Sequence, residues 1–430
     1  MLKEIDKRNH AQLRQYLDSR SQEISEDIRN KSAAILADVK EHGDEAVRKY
    51  TKQFDGVDLQ DLKVSKEELN EAISQCDPAF MEAMKKAKEN IVYFHKAQVQ
   101  QSFLLQKDKG IYLGQRVIPL ASAGVYVPGG RAQYPSSVLM NVIPAKVAGV
   151  KRIVMVTPPD KEGKIHPNIA FAAKLAGVDE IYKAGGAQAI GALAYGTETI
   201  QSVDKIVGPG NIFVAAAKQL VYGRVDIDMI AGPSEILVIA DEGANPSFVA
   251  ADLLSQAEHD PMASPILLTT SRKILDETNK ELDKQLSVLP KKKIAYASVE
   301  NYGKAIICDD IHECIDFANA IAPEHLELCI ADPMTYLNEV KNAGSVFLGY
   351  YTCESIGDYF GGTNHVLPTS GTARFSSALG VDAFVKKSCF LHYTEDALLH
   401  DAEDIMTMAD AEHLHGHAMA VKVRMHDKKN

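Results

Sequence analysis

The sequence predicts an α/β protein built on two doubly wound parallel sheets of incomplete Rossmann type. Three observations carry that prediction. From Val117 onward, short β-branched runs alternate with Ala-rich helical stretches, and the alternation restarts after Glu235. The runs are separated by segments of about ten to fifteen residues, the length of the crossover helices that join parallel strands. The hydrophobic share of 46% over 430 residues supplies apolar material for more than one core.

Each element has its own signal. Ser25–Tyr50 carries apolar residues at helical spacing among charges, with a break near His42–Gly43, and Ser65–Gln101 repeats the texture. Ser65 and Glu68 are spaced as a capping box at the start of that second stretch. Arg152–Thr157 (RIVMVT) is a predicted strand and Asn168–Ala176 a helix; Glu180–Tyr182, Ala187–Ala194, Lys205–Val207 and Asn211–Val221 continue the alternation. In the second block the predicted strands are Glu235–Ala240, Pro265–Thr270, Ile294–Ser298, Leu326–Ile330 and Ser345–Leu348. The helices between them are Pro246–Glu258, Lys273–Leu286, His312–Ile321 and Pro333–Asn342. Ligands in such folds are expected at the carboxyl ends of strands. After about residue 380 the alternation is lost: Ser376–Lys387 and Ala397–Met408 read as helices in a polar, His-rich tail. So thin a segment needs a surface to pack on, from its own chain or from a partner subunit.

Composition excludes several classes of function. The formal charge of −11 argues against a nucleic-acid-binding surface, which needs clustered Lys and Arg. No apolar run reaches the roughly 18 residues of a membrane helix. The opening MLKEIDKRNHAQL lacks the apolar stretch of a secretory signal. Six cysteines without a C-x-x-C pair read as reduced thiols, so a cytoplasmic location is expected.

The chemistry-bearing residues fall in a few runs. Gly124-Val-Tyr-Val-Pro-Gly-Gly130, Ala184-Gly-Gly-Ala-Gln188 and Gly208-Pro-Gly-Asn211 each sit where a strand hands over to a helix. Backbone can approach a pyrophosphate closely there, although none matches G-x-G-x-x-G and a tight turn explains each as well. Gln256 and His259 close a predicted helix three residues apart, on one face. Glu324 and His325 place a carboxylate beside an imidazole, the two commonest general bases. The run Glu354–Pro368, too irregular for helix or strand, holds Asp358 and His365. Of fourteen histidines, ten follow residue 250, and three of those alternate in Glu412-His-Leu-His-Gly-His417. A set of Gln256, His259, Asp358 and one tail histidine would suit zinc, while its oxygen share also admits manganese or cobalt.

In these residues the sequence resembles the histidinol dehydrogenase family. The resemblance lies in Gly357-Asp-Tyr-Phe-Gly-Gly-Thr-Asn-His-Val-Leu-Pro-Thr-Ser-Gly371, Gly208-Pro-Gly-Asn211, Ile227-Asp-Met-Ile-Ala-Gly-Pro-Ser-Glu235, Gln256-Ala-Glu-His259 and Ala322-Pro-Glu-His325. It spans about residues 20 to 424. It implies an enzyme of histidine biosynthesis that oxidises L-histidinol to L-histidine in two NAD-dependent steps through a bound aldehyde. It also implies a homodimer with one zinc per subunit. By motif match, Gln256, His259 and Asp358 would hold the metal, with His417 arriving from the other subunit. Glu324 and His325 would be the acid/base pair. The substrate would meet Ser234, His365 and Glu412 besides His325 and the metal ligands, and NAD would meet Tyr126, Gln188 and Asn211. The implied division is an N-terminal helical segment 1–20, a discontinuous α/β domain of 21–125 with 236–379, an NAD-side domain of 126–235, and a tail of 380–430 exchanged across the dimer.

Some residues stand outside the pattern. The family motif needs only His417 of the tail histidines, so His413, four residues earlier on an expected helix, is an alternative ligand. Val221–Asp228 is a few residues short, which should alter a loop. Cys353, five residues before Asp358, invites a thiohemiacetal, but no basic neighbour or oxyanion loop accompanies it. Rival readings are a same-family dehydrogenase of another small polar alcohol, a metal-dependent hydrolase, and a silent binding protein. The presence of His365 and Glu412 weighs against the first, and that of Glu324, His325 and the metal ligands against the third, while the hydrolase would use Glu324 to activate zinc-bound water with no nicotinamide.

Overall fold

The computed structural model describes residues 1–9, 11, 12, 15, 16, 24–129 and 134–426. The expected N-terminal helical segment 1–20 lies partly outside these residues, as does Gly130. Its described start holds a short strand, β1 (Lys3–Glu4). Helix α1 (Glu26–Asp55) follows, capped by the Ser25 hydroxyl and closed by Gly56 in the left-handed region. Gly43 breaks its geometry at φ 52°, where a Cβ would run into the Glu198 carboxylate. That is the break expected near His42–Gly43. Helices α2 (Lys66–Ser74) and α3 (Pro78–Lys96) carry Ser65 and Asp77 as side-chain caps. Strands β2 (Phe103–Asp108) and β3 (Ile111–Pro119) then form an antiparallel hairpin.

The chain divides into two compact units, residues 1–98 with 120–384, and residues 99–119 with 385–430. The larger unit holds two parallel sheets. The first uses β4 (Ser122–Tyr126), β5 (Arg152–Thr157), β6 (Glu180–Lys183), β7 (Lys205–Val207) and β8 (Asp226–Ile227), in the order β6-β5-β4-β7-β8. Crossover helices α4 (Pro135–Ala148), α5 (Pro167–Ala176), α6 (Gly186–Tyr195) and α7 (Ile212–Val221) join the strands. The first strand is central, the next two lie to one side and the last two to the other, so the order reverses between β4 and β7.

The second sheet repeats this order with β9 (Glu235–Ala240), β10 (Ser264–Thr269), β11 (Lys304–Ile307), β12 (His325–Cys329) and β13 (Ser345–Leu348), and β1 pairs beyond β11. Its connections are α8 (Pro246–Ala257), α9 (Arg272–Val288), α10 (Lys292–Tyr302), α11 (Ile311–Ile321) and the single turn α12 (Pro333–Tyr336). A second short helix, α13 (Glu354–Tyr359), follows β13. The central strands β9, β10 and β12 are buried throughout, which explains the apolar runs of β9 and β10. Two doubly wound sheets of incomplete Rossmann order are what the alternation predicted.

Four expectations need correction. Ile294–Ser298 is helical within α10, because Ala295, Ser298 and Val299 bury one face at i, i+3, i+4 spacing. Ser376–Lys387 is not a helix: it ends in a 3₁₀ turn at Val381–Phe384 and opens β14 (Val385–Tyr393), whose partner is β3 across a long sequence separation. Glu354–Tyr359 is α13 rather than an irregular run. Helices α1, α2 and α3 were grouped with residues 236–379, yet their apolar faces pack on the five-stranded sheet and its helices. Ile35, Leu36, Val39 and Val47 meet Ile190 and Leu193, and Met84 and Ile91 share a cluster with Val138 and Val142. Each fully buried aliphatic side chain of this kind contributes roughly 1.5–3 kcal/mol, which fixes the helices on that sheet.

The smaller unit is the three-stranded antiparallel sheet β14-β3-β2, followed by α14 (Glu395–Ala411) and α15 (His415–His426). No helix among the described residues is long and apolar enough to cross a membrane.

Candidate functional site

The amino-terminal edge of the six-stranded sheet carries the first cluster. Ser234 and Glu235 enter β9, and Glu324 and His325 enter the neighbouring β12, with His325 opposite Ile236 in the pairing. Sequence reasoning placed ligands at carboxyl ends; here the chemistry sits at the opposite end of the strands. The short connection from β8 to β9 delivers Ser234 and Glu235 to that edge, beside the loop leaving α11.

Backbone bonds fix the pair. The His325 Nδ1–H donates to the Glu235 carbonyl at 2.9 Å, since a carbonyl can only accept, and the Glu235 N–H donates to Glu324 Oε2 at 2.9 Å. That bond leaves Nε2 as the nitrogen turned to the acids around it. It is buried without a hydrogen-bond partner and lies 3.7 Å from Asp358 Oδ1. Burial pushes the Glu324 carboxyl up to about 7, against the opposing pull of His325. Burial alone would strip the proton from His325, but Glu324, Asp358 and Glu354 outweigh it and push the ring up to about 10. In Asp358 the neighbouring His325 and His365 rings outweigh burial and hold its carboxyl well below the usual carboxylate range.

Around His325 the chain gathers acids. Ligand atoms of His325, Glu354 and Asp358 lie within 4.8 Å of one another, a group able to hold a metal ion. Gln256, 1% exposed in the last turn of α8, donates Nε2 to Glu354 Oε1 at 2.6 Å, which leaves the amide oxygen as its ligating end. The Ser255 hydroxyl donates to the other Glu354 oxygen, and burial holds the Glu354 carboxyl up at about 8. His259 follows in the turn after α8; desolvation lowers its pKa while the Asp358 charge raises it. His365 is held at both nitrogens, Nδ1 to the Asp358 carbonyl at 3.0 Å and Nε2 to Ser137 Oγ on α4 at 3.3 Å. Desolvation lowers its pKa.

Glu354 was missed as a site residue. The available signal was its i, i+4 spacing from Asp358, which puts both carboxylates on one face once the segment is seen as a helix. Cys353 is partly buried, and burial raises its thiol rather than activating it.

A cavity of about 1100 Å³ opens at the carboxyl end of the five-stranded sheet, and it takes in Tyr126, Gln188 and Asn211 together with Gly129, Gly186 and Asp55. Tyr126 ends β4, and its hydroxyl accepts from Gly186 N at 3.2 Å; burial pushes its pKa up to about 12. Gln188 is 1% exposed, and both ends of its amide lack a partner, the state of a group awaiting a ligand. Asn211 caps α7 by accepting from Phe213 N and Val214 N.

Glu412 and His417 belong to the smaller unit, both exposed, at the end of α14 and the start of α15. His413 lies between these helices at φ 59°, so it does not share a helix with His417 as expected.

Comparison with known proteins places these features in context. The model of the histidinol dehydrogenase family matches residues 18–425. The chain is 56% identical over 401 residues to the histidinol dehydrogenase of Listeria monocytogenes, covering 93% of this chain and 94% of that one. It is 56% identical over 390 residues to that of Clostridium acetobutylicum, covering 91% and 90%. The crystal structure of histidinol dehydrogenase from Elizabethkingia anophelis superposes with a TM-score of 0.94 at 44% identity, covering 99% of this chain and 98% of that chain.

Proposed function

The chain belongs to the histidinol dehydrogenase family, an oxidoreductase family of histidine biosynthesis, and from that premise we propose how its own residues divide the work. The proposed reaction is oxidation of L-histidinol to L-histidine through bound L-histidinaldehyde, with two molecules of NAD and one zinc per subunit, in the cytoplasm. The observation that carries the reading is the buried Glu324–His325 pair, locked on the Glu235 backbone and ringed by Asp358 and Glu354.

The donor set fits a divalent ion of the zinc type, because ligand atoms of His325, Glu354 and Asp358 converge within 4.8 Å and His325 Nε2 is buried without a partner. Gln256, His259 and Asp358 would hold it, with His417 of the partner subunit completing the set; the exposed tail helices supply that residue in a homodimer. When bound, the ion would grip the substrate's imidazole and amino nitrogens, and NAD would take hydride at each oxidation.

The remaining roles belong to side chains of this chain. With a cation in the site offsetting the Asp358 and Glu354 charges that otherwise hold the ring protonated, His325 would take the alcohol proton at Nε2, the nitrogen that its bond to Glu235 leaves free. Glu324, buried and poised near neutrality, takes a proton from the water that hydrates the aldehyde. His365 and Ser234 face the substrate's reacting end, and Glu412 pairs with its polar nitrogens. Tyr126, Gln188 and Asn211 hold the dinucleotide in the cavity of the five-stranded sheet, at a strand-order reversal where such folds bind cofactors.

NADH formation with L-histidinol, with and without a chelator, tests the proposal. Histidinol-dependent NADH that vanishes with chelator and returns with zinc supports it. Oxidation of other small polar alcohols in preference to histidinol would contradict it.

A further inference from the structure

The segment 228–235 joins the two sheets, leaving β8 at the cofactor side and entering β9 beside the catalytic pair. Its far end is held by the Glu235 bonds to Glu324 and His325. Its near end is held by Asp228. One oxygen of that carboxylate accepts from Gly208 N at 2.8 Å; the other accepts from Met229 N at 2.6 Å and meets the Lys218 ammonium in a close ion pair. Lys218, on α7, also donates to the Gly208 carbonyl at 3.0 Å. The side chains of Lys218 and Asp228 are 3% and 1% exposed.

Both polar ends of one residue, Gly208, are thus gripped by a buried ion pair. Gly208 sits at φ 115°, and a Cβ there would fall on the Tyr126 carbonyl oxygen. It opens the turn that ends at Asn211, the cap of α7 that lines the cavity beside Tyr126. Burying two charges is costly, and apolar replacement of such a pair is often neutral or better for stability. What this pair adds is geometry.

We infer that Lys218 and Asp228 are positioning residues for cofactor binding: their ion pair pins the Gly208–Asn211 turn to the start of the 228–235 segment. The inference rests on the cofactor reading of the cavity given above. Through the segment, the same anchor sets where the cofactor side stands relative to the Glu324–His325 pair, a distance that hydride transfer tolerates poorly.

The test compares the zinc-loaded wild type with the double replacement Lys218→Met/Asp228→Leu, measuring melting temperature and the Kd values of NAD and L-histidinol. The double variant should melt close to the wild type and bind histidinol normally, while its NAD Kd rises about tenfold or more. Wild-type NAD affinity in a folded double variant overturns the inference. Should the double variant fail to fold, the neutral polar pair Lys218→Gln/Asp228→Asn supplies the reading. It keeps the shape and loses the charge, and should raise the KM for NAD several-fold with the histidinol KM unchanged; equal KM values overturn the inference. A wild type that binds no NAD sinks the cofactor reading and this inference with it, whereas NAD binding retained in the variants sinks this inference alone.

Discussion

His325 donates its Nδ1–H to the main-chain carbonyl of Glu235 at 2.9 Å, and the N–H of the same residue donates to Glu324. One residue of β9 therefore sets the tautomer of the histidine and the rotamer of the carboxylate. Both bonds use the Glu235 backbone.

If the two bases have the separate tasks proposed for them, they should fail separately. Glu324→Gln keeps an oxygen for the Glu235 N–H and loses the proton acceptor. Oxidation of histidinaldehyde should fall by roughly 10² or more, while oxidation of histidinol to the aldehyde is largely spared. Single-turnover assays with each substrate measure this, and equal loss of both steps would refute the division.

The acid ring should bind its metal through the residues assigned. His259→Ala and Asp358→Asn should each weaken zinc by about 100-fold or more, judged from loss of a first-sphere ligand against the 10–100-fold cost of a supporting one. Metal content after dialysis against a graded chelator series reads the effect. Retention of wild-type zinc by either variant would remove that residue from the ligand set.

Asp55 lines the cavity of the five-stranded sheet with one carboxylate oxygen enclosed and unpartnered, and burial pushes its pKa up to about 6. The sign follows from linkage. A carboxyl whose folded pKa is raised stabilises the fold below its unfolded pKa of 3.8, and that contribution is lost as pH rises through 6. Asp55→Asn should therefore melt higher than the wild type at about pH 8, with the difference closing near pH 4. Melting curves across that range check it, and a variant less stable at the higher pH would contradict it.

Much of this molecule was legible in its sequence. The strand–helix alternation predicted both sheets because strands covered on two faces tend to read as apolar runs, as β9 does. Gln256, Glu324, His325, Asp358 and His365 were singled out, and the fold brings them to one edge. What escaped depended on long-range pairing. Phe103–Asp108 and Ile111–Pro119 form a hairpin around Gly110 at φ 83°, but Val385–Tyr393, which completes that sheet, carries no local trace of its partner. Glu354 escaped because its segment, rich in glycine beyond Tyr359, was taken as irregular, so its shared face with Asp358 went unseen. The Lys218–Asp228 contact joins α7 to the segment beyond β8, and only the folded sheet shows it.

If sites are completed across subunits, inactive chains should rescue one another. Random mixing of His259→Ala with His417→Ala chains makes half the dimers mixed, each with one intact site of two, so about a quarter of wild-type activity should return. No recovery would place each site within one chain.

The central claim is that one site carries histidinol through both oxidations. Exhaustive oxidation of a limiting amount of L-histidinol, with NADH and histidine both counted, tests it most directly. Two NADH and one histidine per histidinol are the predicted result. One NADH per histidinol, with the aldehyde as product, would contradict it.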